Sequence, residues 1–85
     1  MDETNPKLKA VFMEIVDNQL RENNPPETKA TYNRLKDSGI SEEDAKLYIA
    51  QAVAYEMFYV LKHQESFDEE RYERNLLKLP GEPSL

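Results

Sequence analysis

The residues of this sequence that could do chemistry lie close together in its most hydrophobic segment. Glu56 interrupts a run of apolar residues, His63 is the chain's one histidine, and Tyr59 lies between them. A carboxylate and an imidazole can act as acid and base, or can hold a small ligand. Along a helix, however, Glu56 and His63 are separated by roughly 10 Å. A small-ligand-binding or catalytic site around Glu56 and His63 is therefore an alternative that needs groups from other elements.

Structural roles also explain these two residues. A buried carboxylate is costly unless it is paired, so we expect Glu56 either to reach solvent or to meet a hydroxyl or basic group. The candidate partners are a tyrosine, Arg34, Arg71 and Arg74. His63 falls in the last turn of its helix, where the helix dipole favours a cation. A carboxylate-bridged metal site needs more than one histidine, and the chain has no cysteine. We predict no catalytic residue, no metal and no cofactor.

Three tyrosines form a narrow stripe on the same segment. Tyr48, Tyr55 and Tyr59 fall on one side of a helix when residues are placed 100° apart. Tyrosine combines a large contact area with few rotatable bonds and a polar tip, which suits a binding surface. A neighbouring helix could equally cover the stripe as a half-buried seam. We keep both interpretations, an internal seam and a partner surface.

A long hydrophobic helix must position all of these residues. Ser41 can cap it, and the acidic run 42–44 lies in its first turn, where negative charge is favoured. The central hydrophobic segment 41–64, with its helix predicted over 42–64, carries too many charges to span a bilayer, so its apolar side chains should contact protein. Helical spacing predicts a core-facing arc made of Leu47, Ile49, Ala50, Val53, Ala54, Met57, Phe58, Val60 and Leu61.

Three shorter helices are predicted around this central one, over 6–22, 25–37 and 69–78. Their caps are Asn5, Asn24 and Asp68, with Ser66 as a competing cap for the last. Gly39 is placed to end the second helix in a Schellman motif, with Leu35 and Ile40 in contact. Phe67 can pack on Tyr72 as a hydrophobic staple. The sequence therefore predicts an all-α bundle of about four helices, a single domain over 1–79, and a flexible tail over 80–85.

Charge limits the choice of partner. The segment 35–41 resembles the turn of a helix-turn-helix, and it is also similar to the loop of ubiquitin-associated-type three-helix modules, which bind proteins. The helix that would enter DNA begins with Glu42, Glu43 and Asp44, which would face phosphates. The net charge of −6 also opposes nucleic acid and anionic membranes. DNA-binding regulation therefore ranks third, and we predict no nucleic-acid or membrane partner.

A longer pattern covers about two-thirds of the chain. Its members are Asn24-Pro25-Pro26, Arg34-Leu35, Gly39, Ser41-Glu42-Glu43, Ala45, Ile49, Val53, Glu56, Phe67-Asp68-Glu69-Glu70-Arg71-Tyr72 and Leu79-Pro80. The pattern resembles small uncharacterised prokaryotic all-helical domains, that is, domains of unknown function. This resemblance implies a compact helical domain of a bacterial or archaeal cytoplasm, and it assigns no catalytic residue.

The leading hypothesis is a non-enzymatic helical module that self-associates or binds another protein. Its contact surface would combine the tyrosine side of the central helix with the first helix. A chain of 85 residues is close to the size at which a single core gives only modest stability, so a homodimer would help it. The first residues, 1–5, contain neither a basic nor an apolar run, and we expect a cytoplasmic location.

Overall fold

The computed structural model describes residues 6–81. It contains four helices, α1 (Pro6–Glu22), α2 (Pro26–Asp37), α3 (Glu42–His63) and α4 (Glu69–Lys78). No strand occurs within this range, and α1, α2 and α4 each pack against α3. The predicted all-α bundle around a central helix is confirmed. Asn5 and most of the predicted tail, residues 82–85, lie outside the described range.

The starts of α3 and α4 follow the predicted caps. The Ser41 side chain accepts a hydrogen bond from the backbone N–H of Asp44 at 3.1 Å. At α4, Asp68 rather than Ser66 is the N-cap, and its carboxylate accepts from the N–H of Arg71 at 3.1 Å. These side chains satisfy N–H groups that have no partner inside the helix. Both boundaries are therefore determined by short-range chemistry.

Three helices end at a residue with a left-handed backbone. These residues are Asn23, Gly39 and Gln64, with φ of 52°, 99° and 54°. Only the glycine was predicted, because a non-glycine residue rarely adopts this conformation. In each case an N–H bonds to the carbonyl five residues earlier, namely Asn24 to Gln19, Ile40 to Leu35, and Glu65 to Val60.

The prediction that Asn24 caps α2 was wrong. Its N–H completes the stop of α1 by bonding the carbonyl of Gln19 at 3.1 Å. The N-cap of α2 is Pro25, which has no side-chain capping bond, and the helix begins at Pro26 rather than Pro25. Asn24 therefore belongs to the end of α1, and α2 starts one position later than predicted.

The predicted core-facing arc of α3 was only partly right. Ile49 and Val53 are buried as expected, but Phe58 and Leu61 are exposed. The buried face is centred instead on Ala45, Ile49, Ala52 and Glu56. Glu56 lies on this face, where its charge is neutralised as described below. On the opposite side of α3, Gln51, Phe58 and Leu61 are exposed, whereas Leu47 and Ala54 are half-buried.

The C-terminal end of α4 belongs to the core. Tyr72 and Leu76 of α4 are buried, and so is Leu79, the first residue after the helix. Arg34 from α2 donates to the carbonyl oxygens of Leu76 and Leu79, at 3.0 and 2.9 Å. A guanidinium is well placed there, because the last carbonyls of a helix have no intrahelical partner. The ordered core thus extends through Leu79.

Candidate functional site

Glu56 is the central polar residue of the bundle. Its side chain is completely buried, and it forms a two-pronged ion pair with Arg71 of α4. Oε1 accepts from Nε of Arg71 at 2.7 Å, and Oε2 accepts from Nη2 at 2.6 Å. Oε2 also accepts from the backbone N–H of Asp68 at 2.9 Å. The prediction that Glu56 pairs with a basic group is confirmed, and Arg71 is the partner among the candidates.

The start of α4 is built to present Arg71 to this carboxylate. Asp68 caps the helix and its second oxygen lies 3.7 Å from Nη1 of Arg71. The predicted staple is present, since the rings of Phe67 and Tyr72 meet edge to face at 5.5 Å between centroids. Hydrogen bonding to Glu56, together with the nearby carboxylates, raises the pKa of Arg71. The guanidinium is therefore held as a permanent cation against Glu56.

A row of stacked side chains leads from this ion pair to the surface. The guanidinium of Arg71 lies over the ring of Tyr59, 3.7 Å from its centroid. The other neighbour of Tyr59 is His63, whose ring centroid is 4.2 Å away. Glu56 is buried, Tyr59 is half-buried and His63 is exposed. The contacts of Glu56 are to Arg71 and Asp68, and those of His63 are to Tyr59, so the predicted polar pair is linked only through intermediates.

This arrangement limits the chemistry available to Glu56. Both carboxylate oxygens are engaged by donors from α4, and the side chain has no solvent-exposed surface. A general base needs access to the proton that it removes, and the fully buried and fully paired carboxylate of Glu56 has no such access. The contacts are those of a structural ion pair that locks α4 to α3.

A second polar cluster ties α1, α2 and α4 together. The hydroxyls of Tyr72 and Thr28 both donate to Oε1 of Gln19, each at 2.7 Å, and they lie 3.3 Å from each other. Burial raises the pKa of Tyr72 to about 12, although the hydrogen bonds to Thr28 and Gln19 oppose this shift. Sequence reasoning missed this cluster. The feature of the sequence that could have indicated this cluster is Gln19, a polar residue three positions after the apolar Val16.

The other carboxylates in the described part of the chain do not form a metal site. Burial raises the pKa of Glu73, and the nearby carboxylate of Glu27 adds to this effect. Within residues 6–81, however, there is no group of three or more histidine or acidic side chains that could hold a metal ion. In the same range, no helix is long and apolar enough to cross a membrane.

The tyrosine stripe is divided between two environments. Tyr59 is sandwiched between Arg71 and His63, as an internal seam would require. Tyr48 and Tyr55 are half-buried, and Tyr48 lines a shallow, open groove of about 290 Å³. The remaining lining residues of the groove all come from α3 itself. The groove is therefore a feature of the outer helix surface rather than an enclosed ligand pocket.

Large apolar side chains are exposed beside this stripe. On α3, Phe58 and Leu61 are 53% and 70% exposed, and on α1, Leu8 and Val11 are 40% and 49% exposed. Phe12 joins the two helices, since its ring meets that of Phe58 edge to face at 6.1 Å. Leu8 lies one helical turn from Phe12, Val11 lies one turn from Leu8, and Leu61 lies one turn from Phe58. We call these five residues the outer patch.

Comparison with known proteins identifies no relative. No protein-family model matches the chain, and no curated protein or solved structure is significantly similar to it.

Proposed function

We propose that this protein is a non-enzymatic helical module that binds a protein, either a second copy of itself or another chain, through the outer patch. The observation that carries this proposal is the exposure of Leu8, Val11, Phe58 and Leu61 on two helices that are joined by the contact between Phe12 and Phe58. Single exposed hydrophobic residues are common, but contiguous apolar patches mark interaction surfaces. Aromatic residues in particular are enriched where proteins meet.

The proposal moves the contact surface away from the tyrosine stripe expected from sequence. Tyr59 already contacts Arg71 and His63, whereas Tyr48 and Tyr55 lie at the edge of the outer face and can add to the contact. The first helix keeps the role that the sequence suggested for it. We further propose that the module works in the cytoplasm of a prokaryote, which is what the resemblance described above implies.

A charge-insertion experiment tests this proposal. Phe58→Glu combined with Leu61→Glu should abolish complexes that are cross-linked in cells or detected by sedimentation, because two charges would be desolvated in the contact. Both residues are exposed, so the far-UV circular dichroism should keep its helical signal. The matched control is Leu77→Glu on α4, since Leu77 is 74% exposed and lies outside the outer patch.

We expect the double variant to lose every specific complex that the wild type forms, and the control variant to keep these complexes. The proposal is refuted if the double variant keeps the complexes of the wild type. It is equally refuted if Leu77→Glu removes them to the same extent, because the effect would then follow charge alone and not the outer patch.

A further inference from the structure

The side of α3 opposite its buried face has a seven-residue repeat, in which Gln51, Phe58 and Leu61 are exposed and the other two residues are half-buried. Leu47, Gln51, Ala54, Phe58 and Leu61 follow one another at intervals of four, three, four and three residues. This alternation is that of the a and d positions of a coiled coil, which keeps one seam facing a partner helix. The seam lies opposite the buried face of α3. A helix that is covered on only one side normally carries polar residues on the other, so this seam requires an explanation.

Neighbouring residues make the seam wider than one helix. Tyr48 and Tyr55 lie along one edge as half-buried aromatic side chains. Along the other edge, Phe12 contacts Phe58 and thereby extends the apolar surface onto α1. A facing helix would therefore meet a shallow apolar trough with tyrosines on one side and α1 on the other. This shape suits a helix as the occupant.

The charges at the two ends of α3 indicate how a second α3 would be oriented. The first turn holds Glu42, Glu43 and Asp44, and the last turn holds Lys62 and His63. In an antiparallel pair centred midway between Leu47 and Leu61, Asp44 of each copy faces residue 64 of the other copy and lies within one turn of its Lys62. In a parallel pair, like charges would meet at both ends, which is unfavourable. Antiparallel packing also places the opposite ends of the two helix dipoles side by side.

We propose that the occupant of the outer patch is a second copy of this chain, with α3 packed antiparallel against α3 of the partner. The two-fold axis would pass near Ala54, the midpoint between Leu47 and Leu61, where a small side chain allows close approach. A two-fold contact uses the same surface on both copies, as a continuous seam on one helix can provide. This inference rests on the proposed function and names its partner.

The expected dimer is weak. From Leu47 to Leu61 the seam is roughly 21 Å long at 1.5 Å per residue, which corresponds to the small end of specific interfaces. Each copy also carries a net charge of −6, and this repulsion opposes association. We therefore expect dissociation in the micromolar range, measured at physiological salt by sedimentation equilibrium.

The absence of cysteine from the sequence allows a direct test of the contact. With Ala54→Cys, mild oxidation should link two copies through a disulfide, because a residue on the two-fold axis meets its own counterpart. The control is Lys29→Cys on the exposed side of α2, which should form no disulfide-linked dimer under the same oxidation. Equal linking of both variants, or linking of neither, would overturn the proposal.

A distance measurement tests the orientation independently. Glu43→Cys lies eleven residues from Ala54, so two spin labels at this position should be roughly 35 Å apart in the antiparallel dimer. In a parallel dimer the same labels would be less than about 20 Å apart, since the helix axes are 8–10 Å apart. A short distance, or no dipolar signal at concentrations that saturate the dimer, would contradict the arrangement.

The two proposals can fail separately. If the wild type remains monomeric at several hundred micromolar while its complexes with other proteins still depend on Phe58 and Leu61, the second copy is refuted and the binding module is supported. If charges at Phe58 and Leu61 change neither dimerisation nor any other complex, the binding module itself is refuted.

Discussion

The buried ion pair predicts a large and specific loss of stability when Glu56 is neutralised. Glu56→Gln preserves the shape of the side chain but leaves the guanidinium of Arg71 without its counter-charge. Its amide also replaces one of the two oxygens that now accept from Arg71 and from the N–H of Asp68. Removing one member of a buried pair costs about 3–5 kcal/mol. Domains of this length are stable by about 4–13 kcal/mol, so this substitution should remove a large part of the total.

Urea unfolding followed by circular dichroism at pH 7 measures this loss. The matched control is Glu65→Gln, which removes the same charge from an exposed position after α3 and should change the free energy of unfolding by less than about 0.5 kcal/mol. The double variant Glu56→Leu with Arg71→Met should be more stable than Glu56→Gln, because it leaves no unpaired charge in the core.

Two results would refute this reasoning. A Glu56→Gln variant within about 1 kcal/mol of the wild type would mean that the ion pair contributes no more than a surface pair. A double variant less stable than Glu56→Gln would mean that the packing of Arg71 on Tyr59, and not its pairing with Glu56, holds α4 in place.

Two further predictions concern Tyr72 and Gln64. Because the pKa of Tyr72 is raised from 10.0 to about 12, the unfolded chain loses this proton first, so the free energy of unfolding should fall by about 2–3 kcal/mol between pH 10 and 12. Urea titrations should show this fall in the wild type but not in Tyr72→Phe, and equal slopes would contradict it. Gln64→Gly should stabilise the fold by about 0.5–1 kcal/mol, since glycine adopts the left-handed stop without strain. The same change at Gln51, an exposed position inside α3, should cost about 1 kcal/mol, and thermal unfolding compares the two.

The local signals in the sequence determined the elements of the fold. Ser41 and Asp68 begin their helices, and Gly39 ends α2, because each of these residues acts on backbone groups within a few positions of itself. The ends of α1 and α3 lie within one residue of the predicted bounds, but the left-handed backbone at Asn23 and Gln64 could not be predicted in this way. The left-handed backbone is unfavourable for both side chains, so it is adopted only where the packed helices require the chain to turn.

The tertiary structure decided how α3 is oriented and what its polar residues do. A helix that is apolar on most of its circumference has no single face for periodicity to select, so the predicted arc included Phe58 and Leu61, which are exposed. Glu56 could be placed at the centre of the buried face only because docking of α4 brings Arg71 to it across 15 residues of sequence. The sequence by itself therefore determined where the helices begin and end, since capping and turn chemistry are local. Which face of α3 is buried, and which is exposed, depends on contacts between residues far apart in the chain.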